Sequence, residues 1–294
     1  MDAKTLRIAT RGSRQATTQS EGVATRLRAA GFETELVLVE TLGDRTQADN
    51  VPLHSIGGQG VFVKEVQRAV LDGRADVAVH SAKDLPAADA DGLEIGALLA
   101  RRSAADVLIG ATLDGLAHGA PVATGSVRRR AQLRLVRPDL EFRELRGNIP
   151  TRLERVPEGG AIVMALAALE ILGMTDRVDD VLDPTRFVPA VGQGCVAVEC
   201  RIGDRPVADA LAEIDDPPSR RAVTIERAYL DELGAGCTLP VGAYADGGLL
   251  HVFLADGTGH TAVTRAIELT GDAGDDLALA RQAARDAREV IAER

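Results

Sequence analysis

The chain has 294 residues, enough for about two or three domains, and 45% of them are hydrophobic. Only 2% are aromatic and tryptophan is absent, so Ala, Val, Leu and Ile must fill the core, a composition suited to parallel sheets covered by helices. The net charge of -10 argues against generic nucleic-acid binding, and no run approaches the roughly 18 apolar residues of a membrane span.

Leu6–Thr10 reads as a buried strand, followed by the turn Arg11-Gly12-Ser13. Ser13 is placed to cap a helix from Arg14 to Ala30, which Gly31 ends. Glu35–Glu40 alternates as a second strand, and the long segment Thr41–Gly60 reads as a functional or mobile loop. A helix over Val61–Leu71 and a strand over Asp76–Val79 follow, the strand running into His80-Ser81-Ala82-Lys83-Asp84. Strands are then expected at Asp106–Ile109, Val122–Thr124, Leu140–Leu145 and Ala161–Ala165. The helices between and after them are expected at Val127–Val136, Ile149–Val156 and Leu166–Leu172. Val196–Arg201 reads as a strand returning to the first lobe. After Pro217-Pro218 come a helix to about Leu233 and three strands, Leu239–Ala245, Leu249–Ala255 and Ala262–Leu269, with turns at Asp246-Gly247-Gly248 and Asp256-Gly257. A final amphipathic helix starts near Asp275. The expected fold is therefore α/β: a first lobe over residues 1–100 with 196–215, a second over 101–195, and an α+β domain over 216–294 built on a three-stranded antiparallel sheet.

Thr124–Arg155 departs most from the average. It holds nine arginines against four acids inside an acidic protein, which points to an anionic ligand. Thr124-Gly125-Ser126 before Arg128-Arg129-Arg130 sits where a strand enters a helix, a position whose free N–H groups favour an anion. Arg146-Gly147-Asn148, with Arg152 beyond, repeats the pattern at the next strand end. In each case an exposed basic helix start would look the same. His80–Asp84 sets Lys83 beside Asp84 after a buried strand; it reads either as a solvated turn or as a carboxylate that balances a developing positive charge. Cys195, Cys200 and Cys237 have neither zinc-site spacing nor an even disulfide count, and no metal site is expected. Cys237 lies among small residues, where it reads more readily as a packed free thiol than as a nucleophile. Met1–Arg7 carries no apolar run, so no signal peptide is expected, and a reducing compartment, the cytoplasm, is the expected location.

Seven stretches, taken together and in order, resemble the porphobilinogen deaminase (hydroxymethylbilane synthase) family: Arg7–Ser13, Gly57–Glu65 (GGQGVFVKE), Val79–Pro86 (VHSAKDLP), Thr124–Gln132 (TGSVRRRAQ), Leu145–Leu153 (LRGNIPTRL), Pro189–Gly194 (PAVGQG) and Gly236-Cys237. The resemblance spans nearly the whole chain. It implies two lobes similar to type II periplasmic binding proteins with an active-site cleft between them, and a small C-terminal domain. It also implies a dipyrromethane cofactor held by a thioether to Cys237, with Asp84 as the catalytic aspartate. Arg11, Ser13, Gln19, Ser81, Lys83, Thr124, Ser126, Arg128, Arg129, Arg146 and Arg152 match positions that contact carboxylates of cofactor and substrate, Asn148 lies in the same motif as the last two, and Phe62 and Lys64 match a mobile loop. The implied activity is a transferase of tetrapyrrole (haem) biosynthesis. It joins four porphobilinogen molecules with loss of ammonia and releases the linear product by hydrolysis. The implied protein is a monomer with porphobilinogen as substrate and no nucleic-acid or membrane partner.

Some positions depart from the family pattern. Ile171 stands where well-known members carry arginine, Gln59 replaces a common lysine, Gly125 a frequent serine and Ala82 a common methionine, and Thr17-Thr18 interrupts an apolar run. A two-lobed receptor for small carboxylates, without chemistry, would show the same lobes; the extra domain with its cysteine counts against it. A nucleic-acid binder using the arginine stretch is disfavoured by the acidic total and scarce aromatics.

Overall fold

The structure is a computed structural model describing residues 5–41, 63–234 and 239–293. Residues 42–60 of the expected loop, among them Gln59, and Phe62 and Cys237 lie outside the described residues. The chain divides into two compact units, Met1–Arg102 with Cys195–Arg220, and Ser103–Gly194 with Arg221–Arg294.

In chain order the first unit starts with β1 (Leu6–Arg11), α1 (Arg14–Ala29), β2 (Thr34–Val39), α2 (Lys64–Leu71), β3 (Val77–Ser81) and β4 (Leu93–Leu98). The second unit follows with β5 (Asp106–Ile109), β6 (Pro121–Ala123), α3 (Val127–Val136), β7 (Glu141–Arg143), α4 (Ile149–Leu153), β8 (Ala161–Ala165), α5 (Leu166–Leu172) and β9 (Asp180–Leu182). The chain returns through β10 (Val196–Arg201) and α6 (Arg205–Ala212), then α7 (Pro217–Glu232), and ends with β11 (Val241–Asp246), β12 (Leu249–Ala255), β13 (Ala262–Glu268) and α8 (Ala273–Ala292).

The first sheet has the order β2-β1-β3-β10-β4. β1 runs parallel to β2 and β3, while β10 is antiparallel to β3 and β4. Both faces are covered, which is why its strands are near-continuous apolar runs. Ile8, Val77, Val79 and Val198 face a core shared with Val23, Leu27 and Leu211, and the alternate residues Ala9 and Ala78 meet Val66, Ala69 and Val70 of α2. Asp76 clamps two strands at their entry: its carboxylate accepts from the Arg7 backbone N–H at 2.9 Å and from the Arg7 guanidinium at 3.0 and 3.1 Å.

The second unit repeats this plan in the order β7-β6-β8-β5-β9, with β6 parallel to β7 and β8 and β5 antiparallel to β8 and β9. It also holds the antiparallel sheet β11-β12-β13. The β11–β12 hairpin turns on Gly247 and Gly248, whose φ angles of 55° and 90° are left-handed and open to glycine without strain. α8 lays a small-residue face of Ala280, Ala283, Ala284 and Ala287 inward, and its N-cap Asp272 accepts from the backbone N–H groups of Gly274 and Asp275. Glu226 of α7 is fully buried and accepts from Gly192 N–H at 2.8 Å and Ala245 N–H at 2.9 Å, joining the PAVGQG turn to β11.

Nearly every expected element is present within a few residues. β4, β9 and α6 are additional to the expected elements. β4 contains Gly96, where a Cβ would lie 2.4 Å from Leu211 Cδ1, so α6 docks close over a residue that weakens the strand signal, and a side chain there would make Leu211 shift. The alternation of strands and helices over β1, β2 and β3 suggests parallel pairing, and these three strands are parallel; antiparallel strands complete both large sheets.

Tyr229 on α7 is fully buried, and its hydroxyl has no hydrogen-bond partner among the described residues. Burial pushes the phenol up, so it stays neutral. Tyr229→Phe removes an unmet donor at constant shape and is expected to be neutral or to stabilise by up to about 1 kcal/mol. Urea denaturation checks this, and a clear loss of stability would show that the hydroxyl is bonded.

Candidate functional site

Two polar clusters form, one in each unit. Both sit where parallel strands end and an antiparallel strand begins, the usual ligand edge of such sheets.

In the first unit the edge is made by the ends of β1 and β3 and the start of β10, where Ser81 pairs with Val196. Arg11, Ser13, Gln15, Gln19, His80, Ser81 and Asp84 line a depression there. Ser13 is the N-cap of α1, and its Oγ accepts from Ala16 N–H at 3.3 Å. One turn further, Gln19 exchanges two hydrogen bonds with the Ser81 hydroxyl, at 3.0 and 3.2 Å, tying α1 to the end of β3. The chain then makes a one-turn 3₁₀ helix, Ala82–Asp84, which brings the half-buried Asp84 carboxylate back over the depression. Lys83 is half-buried on the same turn, and Lys64 is exposed at the first position of α2; neither lines the depression.

Behind this surface lies a buried polar group. Gln67 Nε2 donates to both oxygens of Glu199 at 3.0 Å, and His80 Nε2 lies 3.1 Å from Glu199 Oε2 without the geometry of a hydrogen bond. Motif reading passed over Gln67 and Glu199. A charged residue inside the apolar run Val196–Cys200 was the available signal.

In the second unit the edge is made by the ends of β6, β7 and β8 and the start of β5, where Asp106 pairs with Ala165. Thr124 is buried; its Oγ1 accepts from Ser126 N–H at 3.2 Å, and its carbonyl holds the Arg130 guanidinium. Arg130 also pairs with Glu144. Ser126 caps α3 by accepting from Arg129 N–H at 3.4 Å. Arg128 and Arg129 point inward. Arg128 donates to Asp106 Oδ2 and to Val188 O, both at 2.7 Å, with its guanidinium 5.9 Å from the Phe187 ring centroid. Arg129 donates through Nε and NH2 to Asp106 Oδ1 and through NH1 to Val163 O. Gln193 of the PAVGQG turn donates to the same Oδ1 at 3.0 Å. Burial alone would raise the Asp106 carboxyl, but the charges and hydrogen bonds of Arg128 and Arg129 outweigh it and hold the group far below the ordinary carboxylate range.

Arg146, Asn148 and Arg152 follow the next strand. Asn148 is exposed and its side chain is used as the cap of α4, accepting from Thr151 N–H at 3.0 Å and from the Thr151 hydroxyl at 2.8 Å. Arg152 Nε donates to Gly147 O at 2.7 Å. Arg146 is half-buried, and its guanidinium has no ion-pair or hydrogen-bond acceptor among the described residues. Desolvation pulls it below the ordinary arginine value, only partly offset by Glu144. A partly dehydrated guanidinium with no ion pair among the described residues is a natural seat for an anionic ligand group. Ile171 is half-buried on α5, a helix without a cation. Asp106 and Gln193 had not been singled out; an acid opening an otherwise apolar strand was the signal for the first.

Together these features define a two-unit α/β protein that presents a carboxylate and hydroxyls at one strand edge and guanidinium groups at another, a class suited to poly-anionic ligands. The sequence matches the family model described as porphobilinogen deaminase, dipyromethane cofactor binding domain, over residues 6–209, and that of the porphobilinogen deaminase C-terminal domain over 220–284. A porphobilinogen deaminase from Acidothermus cellulolyticus is 47% identical over 285 residues, covering 92% of this chain and 86% of that protein. One from Mycobacterium marinum is 48% identical over 246 residues, covering 82% and 77%. The chain belongs to the porphobilinogen deaminase family. Of solved structures, a nutrient binding protein from Burkholderia cenocepacia bound to methionine is 15% identical at a TM-score of 0.43, covering 73% of this chain and 93% of that one. No described helix is long and apolar enough to cross a membrane.

Proposed function

We propose that the protein is a transferase that condenses porphobilinogen molecules head to tail, with loss of ammonia, on a dipyrromethane primer attached to Cys237, and then releases the linear tetrapyrrole by hydrolysis. The observation that carries this reading is the position of Asp84: a half-buried carboxylate over a depression lined by Arg11, Ser13, Gln19 and Ser81, in a chain of this family.

The residues present fit a group rich in carboxylates. Arg146 is partly dehydrated without an ion pair among the described residues, and Arg11, Ser13, Thr124, Ser126 and Arg152 offer further donors at the two strand edges. When bound, the dipyrromethane group supplies a free pyrrole α-carbon as the nucleophile. The residues of the chain do the rest. Guanidinium and hydroxyl groups hold the acetate and propionate arms of porphobilinogen and so fix the approach of the two rings. As the aminomethyl C–N bond breaks, nitrogen leaves as ammonia with the bonding pair, and positive charge spreads to the pyrrole N–H. Asp84 balances that charge in a partly dehydrated setting, where such stabilisation is strong. New C–C bond formation ends with loss of the α-carbon proton. We further place the protein in a reducing compartment, the cytoplasm, as a monomer.

Intact mass of the purified protein tests the reading. The expected excess over the encoded mass is that of two linked pyrrole units, with formation of a linear tetrapyrrole from porphobilinogen. Protein from cells supplied with precursor that shows neither excess nor product would refute it.

A further inference from the structure

We propose that Asp106 is a positioning residue for carboxylate recognition: it locks Arg128 and Arg129 into one arrangement and lowers their joint charge to one that a single ligand carboxylate neutralises. The inference rests on the function proposed above and concerns how its anion site is built.

Four side chains form the cluster, and all are buried: Asp106 at 0% exposure, Gln193 at 1%, Arg128 at 4% and Arg129 at 7%. Each oxygen of Asp106 takes one guanidinium. Oδ2 accepts from Arg128 at 2.7 Å; Oδ1 accepts from Arg129 Nε at 3.0 Å and from Gln193 at 3.0 Å. Carbonyl oxygens hold the far sides, Val188 O for Arg128 and Val163 O for Arg129. Side chains with several rotatable bonds are thus reduced to one pose before any ligand arrives.

The charge balance gives the cluster its direction. Two guanidiniums face one carboxylate, so the group carries one net positive charge. The acids that follow in sequence pair elsewhere: Asp139 with Arg137, Glu141 with Arg143 and Glu144 with Arg130. Arg128 and Arg129 lie in the first turn of α3, whose N-terminal end adds positive potential. A buried cation without its counter-charge is unfavourable, so a ligand carboxylate at this edge is drawn in. Without Asp106, two adjacent guanidiniums would repel each other and lose their shared acceptor.

Asp106→Asn tests this, because it keeps the shape and removes the charge. In holoprotein, the expected result is a KM for porphobilinogen raised by about 10–100-fold, the size of a lost charge-assisted contact, with kcat falling by much less. The added rise from Arg129→Gln is expected to be much smaller on this variant than on the wild type, since both changes disable the same clamp. A second readout needs no turnover: porphobilinogen should raise the melting temperature of the wild type, and Asp106→Asn should show a smaller rise. Lowered melting temperature with unchanged KM and an unchanged ligand-induced shift would mean a purely structural role and would overturn the proposal. Where Asp106→Asn does not fold, Asp106→Glu moves the charge by one methylene and is expected to raise KM more than it lowers kcat; a wild-type KM would overturn the proposal. Wild-type protein that neither carries the pyrrole adduct nor is stabilised by porphobilinogen would remove the proposed function and this inference with it, an outcome separate from failure of Asp106 alone.

Discussion

Asp84→Ala is expected to lower the rate of porphobilinogen consumption by about 10²–10³-fold, the usual cost of removing one preorganised electrostatic stabiliser. The purified variant should still carry the pyrrole adduct of the wild type. The expectation follows from placement. The 3₁₀ turn Ala82–Asp84 is pinned on both sides: Ala82 N–H donates to Cys195 O at 3.0 Å, and Leu85 N–H donates back to Ala82 O at 3.2 Å. Ser81, just before it, is bonded to Gln19 of α1. Asp84 therefore needs little reorganisation when charge develops. A half-buried carboxylate is screened less than a fully exposed one, so its interaction with a cation on the substrate is strengthened. Asp84→Asn keeps the shape and loses the charge; it should be nearly as slow as the alanine variant if charge is what matters. Single-turnover rates with intact mass read both expectations. Turnover at wild-type rate in either variant would remove the assigned role.

Cys237→Ser is expected to carry no pyrrole adduct and to lose turnover. A serine hydroxyl is a far weaker nucleophile than a thiolate and is not ionised near neutral pH. Another cysteine cannot take over. Cys195 is 3% exposed and Cys200 is fully buried in β10. Burial, aided by nearby acids, pushes the Cys200 thiol up to about 11, so it holds almost no thiolate. The test is intact mass of the variant after incubation with porphobilinogen, with proteolytic mapping of any labelled peptide. An adduct of wild-type mass on the serine variant would show that the anchor lies elsewhere.

The arginine stretch shows both the reach and the limit of motif reading. Its motifs led to the family, and the helix start at Val127 is where the pattern put it; that Ser126 caps the helix is a finding of the structure. The side chains of that stretch have different fates. Arg130 is tied to Thr124 O and Glu144, Arg137 to Asp139 and nearby carbonyls, and Arg128 and Arg129 to Asp106. Arg146 alone of these is without such a tie among the described residues. Spacing along a chain cannot tell a guanidinium held by the protein from one left for a ligand: Arg137 meets its acid two residues on, whereas Arg128 and Arg129 meet Asp106 from another strand.

Local order was set by neighbours in the sequence: the Ser13 and Asn148 caps, the Gly247-Gly248 hairpin and the apolar runs of β1, β3, β8 and β10 each depend on residues within a turn or a strand. Tertiary structure alone decided which strands pair antiparallel, that Gly96 lies close beneath Leu211, and that Asp106 gathers Arg128, Arg129 and Gln193. The physical reason is range. A cap or a hairpin closes over a few residues, whereas Gln193 reaches Asp106 across 87 positions, and that contact exists only once the sheet between them has formed.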